Sequence, residues 1–377
     1  MLRLRLARLP LLLALAAVPV QAQNAEHLLT PVWSRMADLT GEYGSVESAE
    51  FSPDSRLIVT GTKYDNTVRM WRTEDGHMLW RTELPAEIER VAFTADGAHV
   101  VSISEDRRVR VIRALDGRVV REIEHPSALD ALALSPDGRL MAVGEEAYGG
   151  SDPDAGDGTA HVVLYDTGTW EEVTRVDQRT TANEIAFTPD GRRMVVVGAA
   201  HFRMWDVATG AQLAHHETFR DSERPADSRF ICAKVSPDGR FVAVGASMGW
   251  LYLFDAVTGD YVRRVNDTGQ KVETVEWTAD SRYVLVAGKG KIVDFYATEF
   301  LADTGLRWED VPLAMRVAVS DQLEYMDFNA SGALLTTAHQ DGTVQLWTYR
   351  SDNPGLNTRS HSALSAEQEA LFGAEDQ

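Results

Sequence analysis

Five carboxylates return at one position of a repeated phrase. Glu47, Glu89, Asp130, Glu273 and Glu324 each stand seven residues before the residue preceding the Gly or Ser of a turn, as in FSPDS or FTADG. The other two copies of the phrase hold Asn183 and Ile231 there. Like charges held close raise one another's pKa and favour a cation or a basic segment between them. The same acids could equally be solvated strand-start residues. Three positions nearer the turn, four copies carry Glu50, Lys234, Glu276 and Asp327, where the others carry Ala92, Ala133 and Ala186. A lysine among three carboxylates makes either a structural salt-bridge cluster or a pocket for a small polar or cationic ligand.

Other residues could do chemistry at fewer positions. Asp152, Asp154 and Asp157, in the insertion 145–158, are oxygen ligands of the kind calcium takes. Their spacing is not an EF-hand, because the third acid is one place late and no downstream Glu follows. The alternative is a flexible acidic loop. Trp250 stands where other third strands open with Thr67, Arg108 or Thr343, and an exposed aromatic beside charge would anchor a partner. Gly245-Ala246-Ser247-Met248-Gly249 matches the serine-hydrolase elbow, but it joins two apolar runs as a hairpin would, whereas that chemistry needs a strand-to-helix turn. His215-His216 has no Cys or acid at zinc-site spacing, and a single cysteine builds no structural zinc site. There is no haem-attachment motif and no phosphate loop, so no catalytic residue is assigned. A metal-assisted hydrolase using the recurrent acids stays open as the alternative to binding.

Composition narrows the partners. The chain has 377 residues, 37 Lys+Arg and 57 Asp+Glu, for a net charge of −20. Residues 1–22 pair Arg3, Arg5 and Arg8 with the apolar run Leu11–Val18 and a Val20-Gln21-Ala22 cleavage pattern. That is the layout of a secretory leader, too short to span a bilayer. Removing those three arginines from the 37 leaves 34 basic against 57 acidic residues, a net charge of −23. Such a field disfavours nucleic acid and anionic lipid and favours a basic protein or peptide. The expected location is outside the cytoplasm, periplasmic or secreted, with no membrane span and a monomer by default. Cys232, in the apolar run Phe230–Ala233, reads as a buried inert thiol.

The elements that must position these side chains are repeats. FSPDS (51–55), FTADG (93–97), LSPDG (134–138), FTPDG (187–191), VSPDG (235–239), WTADS (277–281) and FNASG (328–332) each link an apolar run to a β-branched run. A third run ends in an aromatic, and a more polar fourth returns after a Gly turn. Asp65-Asn66-Thr67-Val68-Arg69-Met70-Trp71 and Asp341-Gly342-Thr343-Val344-Gln345-Leu346-Trp347, with Trp205-Asp206, resemble the signature of WD40 repeats. Seven units of this length imply an all-β, single seven-bladed propeller over residues 23–350, followed by a polar tail, 351–377, with room for one short helix.

The resemblance implies more. It puts the recurrent acids at the start of each innermost strand, as a ring around the channel mouth on the face most used for partners. The segment Pro31–Arg35 resembles a fourth strand, so the N-terminal strand is expected to close the last blade and leave no sheet edge open. The Gly-His pairs of typical members are absent, and the turn Asp occurs only at Asp65, Asp106 and Asp341. Their His–Asp–Ser/Thr–Trp hydrogen-bond network is therefore not carried over, and packing should rest more on apolar contacts. The expected function is an exported protein- or peptide-binding platform working through its acidic face.

Overall fold

The computed structural model describes residues 29–39, 44–147, 159–217, 229–266 and 270–350. The leader, the tail and the trio Asp152, Asp154 and Asp157 lie outside the described residues. Among the described residues, twenty-eight strands form seven four-stranded antiparallel sheets, the blades of one propeller. The innermost strands of blades 1 to 7 are Val46–Phe51, Ile88–Phe93, Leu129–Leu134, Glu184–Phe187, Phe230–Val235, Val272–Trp277 and Leu323–Phe328. The fourth strand of blade 7 is Leu29–Met36, which pairs antiparallel with Thr343–Tyr349, Trp33 opposite Leu346. Among the described residues no helix is long and apolar enough to cross a membrane.

The repeated phrase shows why each sheet turns where it does. Its Ser or Thr hydroxyl donates to the Asp two places on, as Ser135 does to Asp137 at 2.6 Å. That Asp also accepts the amide of the residue after the glycine, here Arg139 at 3.1 Å. Gly138 then takes a φ of +69°, which a side chain disfavours, and a Cβ there would strike the Ala95 side chain of the neighbouring turn. Blade 7 reverses the parts: Asn329 accepts from Ser331, Ala333 and Leu334.

Between blades the cores are apolar. Ile58, Val59, Val100, Val196 and Val286 have no solvent exposure, and each aromatic-lined layer joins one blade to the next. Polar networks accompany them: blades 1 and 7 keep the Thr–Trp pair of the family pattern, contrary to expectation, and blade 3 builds a different one. In blade 7 the Trp347 indole donates to Thr337 Oγ1 at 3.0 Å, and that hydroxyl lies 2.8 Å from His339 Nε2. In blade 3 Tyr165 Oη lies 3.0 Å from His125 Nε2, whose other nitrogen meets Glu145 at 3.1 Å. Blade 4 keeps the tryptophan and loses the acceptor: Val196 stands where blades 1 and 7 have Thr60 and Thr337, and the Trp205 indole N–H is buried with no hydrogen-bond partner.

Candidate functional site

The recurrent acids sit on a backbone irregularity that the sequence does not display. In six of the seven innermost strands the pairing register slips by one residue, between Val46 and Ser48, Ile88 and Arg90, Leu129 and Ala131, Phe230 and Cys232, Val272 and Thr274, and Leu323 and Tyr325. The skipped residue is the column member each time: Glu47, Glu89, Asp130, Ile231, Glu273 and Glu324. A β-bulge re-aims the side chain it carries. Blade 4 has no such slip; Asn183 instead donates its side chain to the Phe230 carbonyl at 3.0 Å.

Counter-charges divide these acids into two arcs. In blades 6 and 7, Lys289 lies 3.2 Å from Glu273 and 2.9 Å from Glu324, and Lys271 lies 2.7 Å from Glu273. Burial, with Glu273 and Glu47 nearby, still lifts the Glu324 carboxyl to about 7. In blades 1 to 3, Glu47, Glu87, Glu89, Glu105, Asp130 and Glu146 gather with Lys63 and Arg90 as the cations that reach them. Burial alone would lower the Lys63 ammonium, but Glu89, Glu47 and Glu87 hold it well above its ordinary value. Glu89 is 8% exposed, and its Oε1 is buried without a hydrogen-bond partner. Burial first, then Asp130, pushes its carboxyl up to about 8. Asp130 rises to about 7, again mainly through burial.

Below the mouth the structure brings Glu50, Lys234, Glu276 and Asp327 together. Lys234 donates to Tyr325 Oη at 3.1 Å, its ammonium 5.0 Å from the ring centre, and Tyr325 donates to Glu50 at 3.2 Å. Glu276 lies 3.8 Å from Lys234, and Asp327 accepts the Phe51 amide at 2.9 Å. Arg90 joins from blade 2, 5.7 Å from the Tyr325 ring and 3.8 Å from Glu184 of blade 4. The network thus runs across the channel between blades that are not neighbours. Lys234 keeps about a quarter of its side chain accessible. Burial drives the carboxyls of Glu50 and Asp327 well above the usual range, and Glu276 to about 7.

Arg90, Glu184 and Tyr325 stand outside both recurrent columns, although all three occupy a single register, six residues before the turn. Its other members are Ser48, Ala131, Cys232 and Thr274, so three bulky polar departures marked the place. Trp250 needs correction. It is 3% exposed and packs with Phe202, Phe230, Tyr252 and Phe254. Arg264 lies over its ring at 4.6 Å, and Trp308 meets it edge-on at 5.5 Å. The cause is the insertion after the third strand of blade 6, residues 298–312. Arg263 draws it over blade 5 by donating to the carbonyls of Asp303 and Leu306, both at 2.7 Å. Cys232 is 4% exposed, and burial pushes its thiol far up. Ser247 lies in the hairpin between strands Phe241–Ala246 and Trp250–Asp255, so no strand-to-helix elbow presents it.

Two family models match this chain. The one described as outer membrane protein assembly factor BamB covers residues 30–264, and the one described as WD domain, G-beta repeat covers residues 320–348. Eukaryotic translation initiation factor 3 subunit I of Aspergillus oryzae is 33% identical over 73 residues, 19% of this chain and 22% of that protein. The same subunit from Schizosaccharomyces pombe is 30% identical over 73 residues, with the same shares. The match thus spans about a fifth of the length of these curated relatives.

Proposed function

We propose, from the premise that the chain belongs to the β-propeller family described as outer membrane protein assembly factor BamB and carries WD40-type repeats, that it is an exported platform binding a basic protein or peptide segment. The observation that carries this reading is the unfinished arc of blades 1 to 3. There six carboxylates converge and Glu89 buries an oxygen that nothing satisfies. Buried polar atoms are nearly always partnered, and an arginine or lysine from outside would supply what is missing. The arc of blades 6 and 7 already has its lysines and offers less. Tyr325 and its polar neighbours already bond to one another across the channel below, which favours recognition on the face over a ligand threaded into the hub. Export is read from the leader pattern at 1–22.

The test is capture of partners by the chain lacking residues 1–22, with and without chelator. Glu47→Gln, Glu105→Gln and Glu146→Gln together should abolish capture and leave the unfolding midpoint in place. Glu324→Gln should change capture little. A partner retained by the triple variant, or capture insensitive to raising salt well past the range where the Debye length is about 8 Å, would overturn the reading.

A further inference from the structure

The outer rim of blade 4 carries a second group of polar side chains, independent of the acidic arc. Its third strand, His201–Asp206, pairs antiparallel with its fourth, Gln212–Glu217, with His201 opposite Glu217 and Arg203 opposite His215. Side chains two apart on a strand share a face, so His215 and Glu217 stand on the same face as His201. His201 Nδ1 lies 2.9 Å from His215 Nε2 and 4.0 Å from Glu217 Oε1. One donor atom from each of the three fits within 4.8 Å of the others. The two imidazoles stack at 5.1 Å and 26°. His201 is 5% exposed and fixed in the sheet, whereas His215 and Glu217 are at the surface.

We propose that His201, His215 and Glu217 form a binding site for a transition-metal ion of the zinc class. Two imidazoles and one carboxylate are a zinc donor set, and three protein ligands leave a fourth position for water or for a partner's side chain. Donors bonded to a tetrahedral ion at about 2.0–2.1 Å stand roughly 3.3 Å apart, between the two separations seen here. A hydrogen bond explains the imidazole pair alone, but it does not require a carboxylate to converge on the same point. The opposing charge is Arg203, on the same face. It is 6% exposed, and its Nη1 donates inward to Thr180 Oγ1 at 3.1 Å. His215→Ala and Glu217→Gln change surface side chains, so both variants should fold.

The experiment is titration of the untagged chain, stripped with chelator, with Zn²⁺ and then Co²⁺. One equivalent should bind, and Co²⁺ should give the strong visible absorption of a tetrahedral site. His215→Ala and Glu217→Gln should each weaken binding at least tenfold, since losing even an outer-shell partner costs about 10–100-fold. His216→Ala, whose imidazole faces the Gly259 carbonyl of blade 5 at 2.9 Å, should bind as the parent does. Binding no tighter than about 1 mM, or binding unchanged in His215→Ala, would overturn the site and leave a hydrogen-bonded imidazole pair.

Discussion

The Lys234 ammonium of blade 5 donates to the Tyr325 hydroxyl of blade 7 at 3.1 Å, reaching past blade 6 across the channel. Tyr325 passes a hydrogen bond on to Glu50 of blade 1, so one phenol ties three blades. Tyr325→Phe keeps the ring and removes the junction, leaving a half-buried ammonium and a half-buried carboxylate without that partner. The expected loss is about 1–3 kcal/mol, read as a lower urea midpoint with the denaturant slope unchanged.

Stability should fall as the pH rises from about 5 to about 8. Glu89 titrates in the folded protein at about 8, and Asp130, Glu276 and Glu324 at about 7. The unfolded chain releases those protons near its ordinary carboxylate values, so over this window the folded state binds more protons. Each net proton contributes a slope of about 1.4 kcal/mol per pH unit. Urea midpoints measured across the window should decline, and Glu89→Gln should flatten the decline. A midpoint that rises toward pH 8 would contradict these assignments.

Thr337→Val, close in shape to the parent, should cost about 1–3 kcal/mol. It strips the acceptor from the Trp347 indole and the partner from His339 in one change. The blade 4 equivalent, Val196, already leaves Trp205 in that state. Trp205→Phe should therefore cost less than Trp347→Phe in paired thermal melts.

Arg316→Ala should be more damaging than its exposed position implies. Its guanidinium grips Asp294 with two contacts of 2.6 Å, and the Asp294 side chain has no solvent exposure. Removing one member of a buried pair costs about 3–5 kcal/mol. Because half of the Arg316 side chain is in solvent, the low end of that range is expected in equilibrium unfolding.

The seven turns were legible because each is local: Ser135, Asp137 and Gly138 settle their geometry within four residues. The acids at Glu47 through Glu324 were legible as a column, but the bulge that aims them was not, since a skipped residue leaves no mark in composition. Lys63, Lys271 and Lys289 divide the ring into a neutralised and an open arc from loops whose meeting depends on the closed fold. Tyr325 departs from Ser48, Ala131, Cys232 and Thr274 in its register, but its reach to Lys234 and Glu50 depends on the closed ring of blades. Trp250 looked exposed because the segment that covers it, around Trp308, lies more than fifty residues later in the chain. His215 and Glu217 stand two apart on one strand, but two donors make no metal site in sequence; the third, His201, comes from the adjacent strand by antiparallel pairing.

The pairing of Trp33 with Leu346 sets an order of events during synthesis. The strand Leu29–Met36 leaves the ribosome before any blade exists, and its partner, Thr343–Tyr349, is among the last described segments to be made. Through nearly the whole of elongation the first strand lacks the neighbour that satisfies its amides and carbonyls, and Val32 and Trp33 wait on it. Unpaired edges of this kind recruit other chains. Crowded, unfinished copies of this protein are thus the ones at risk of joining to each other through that strand.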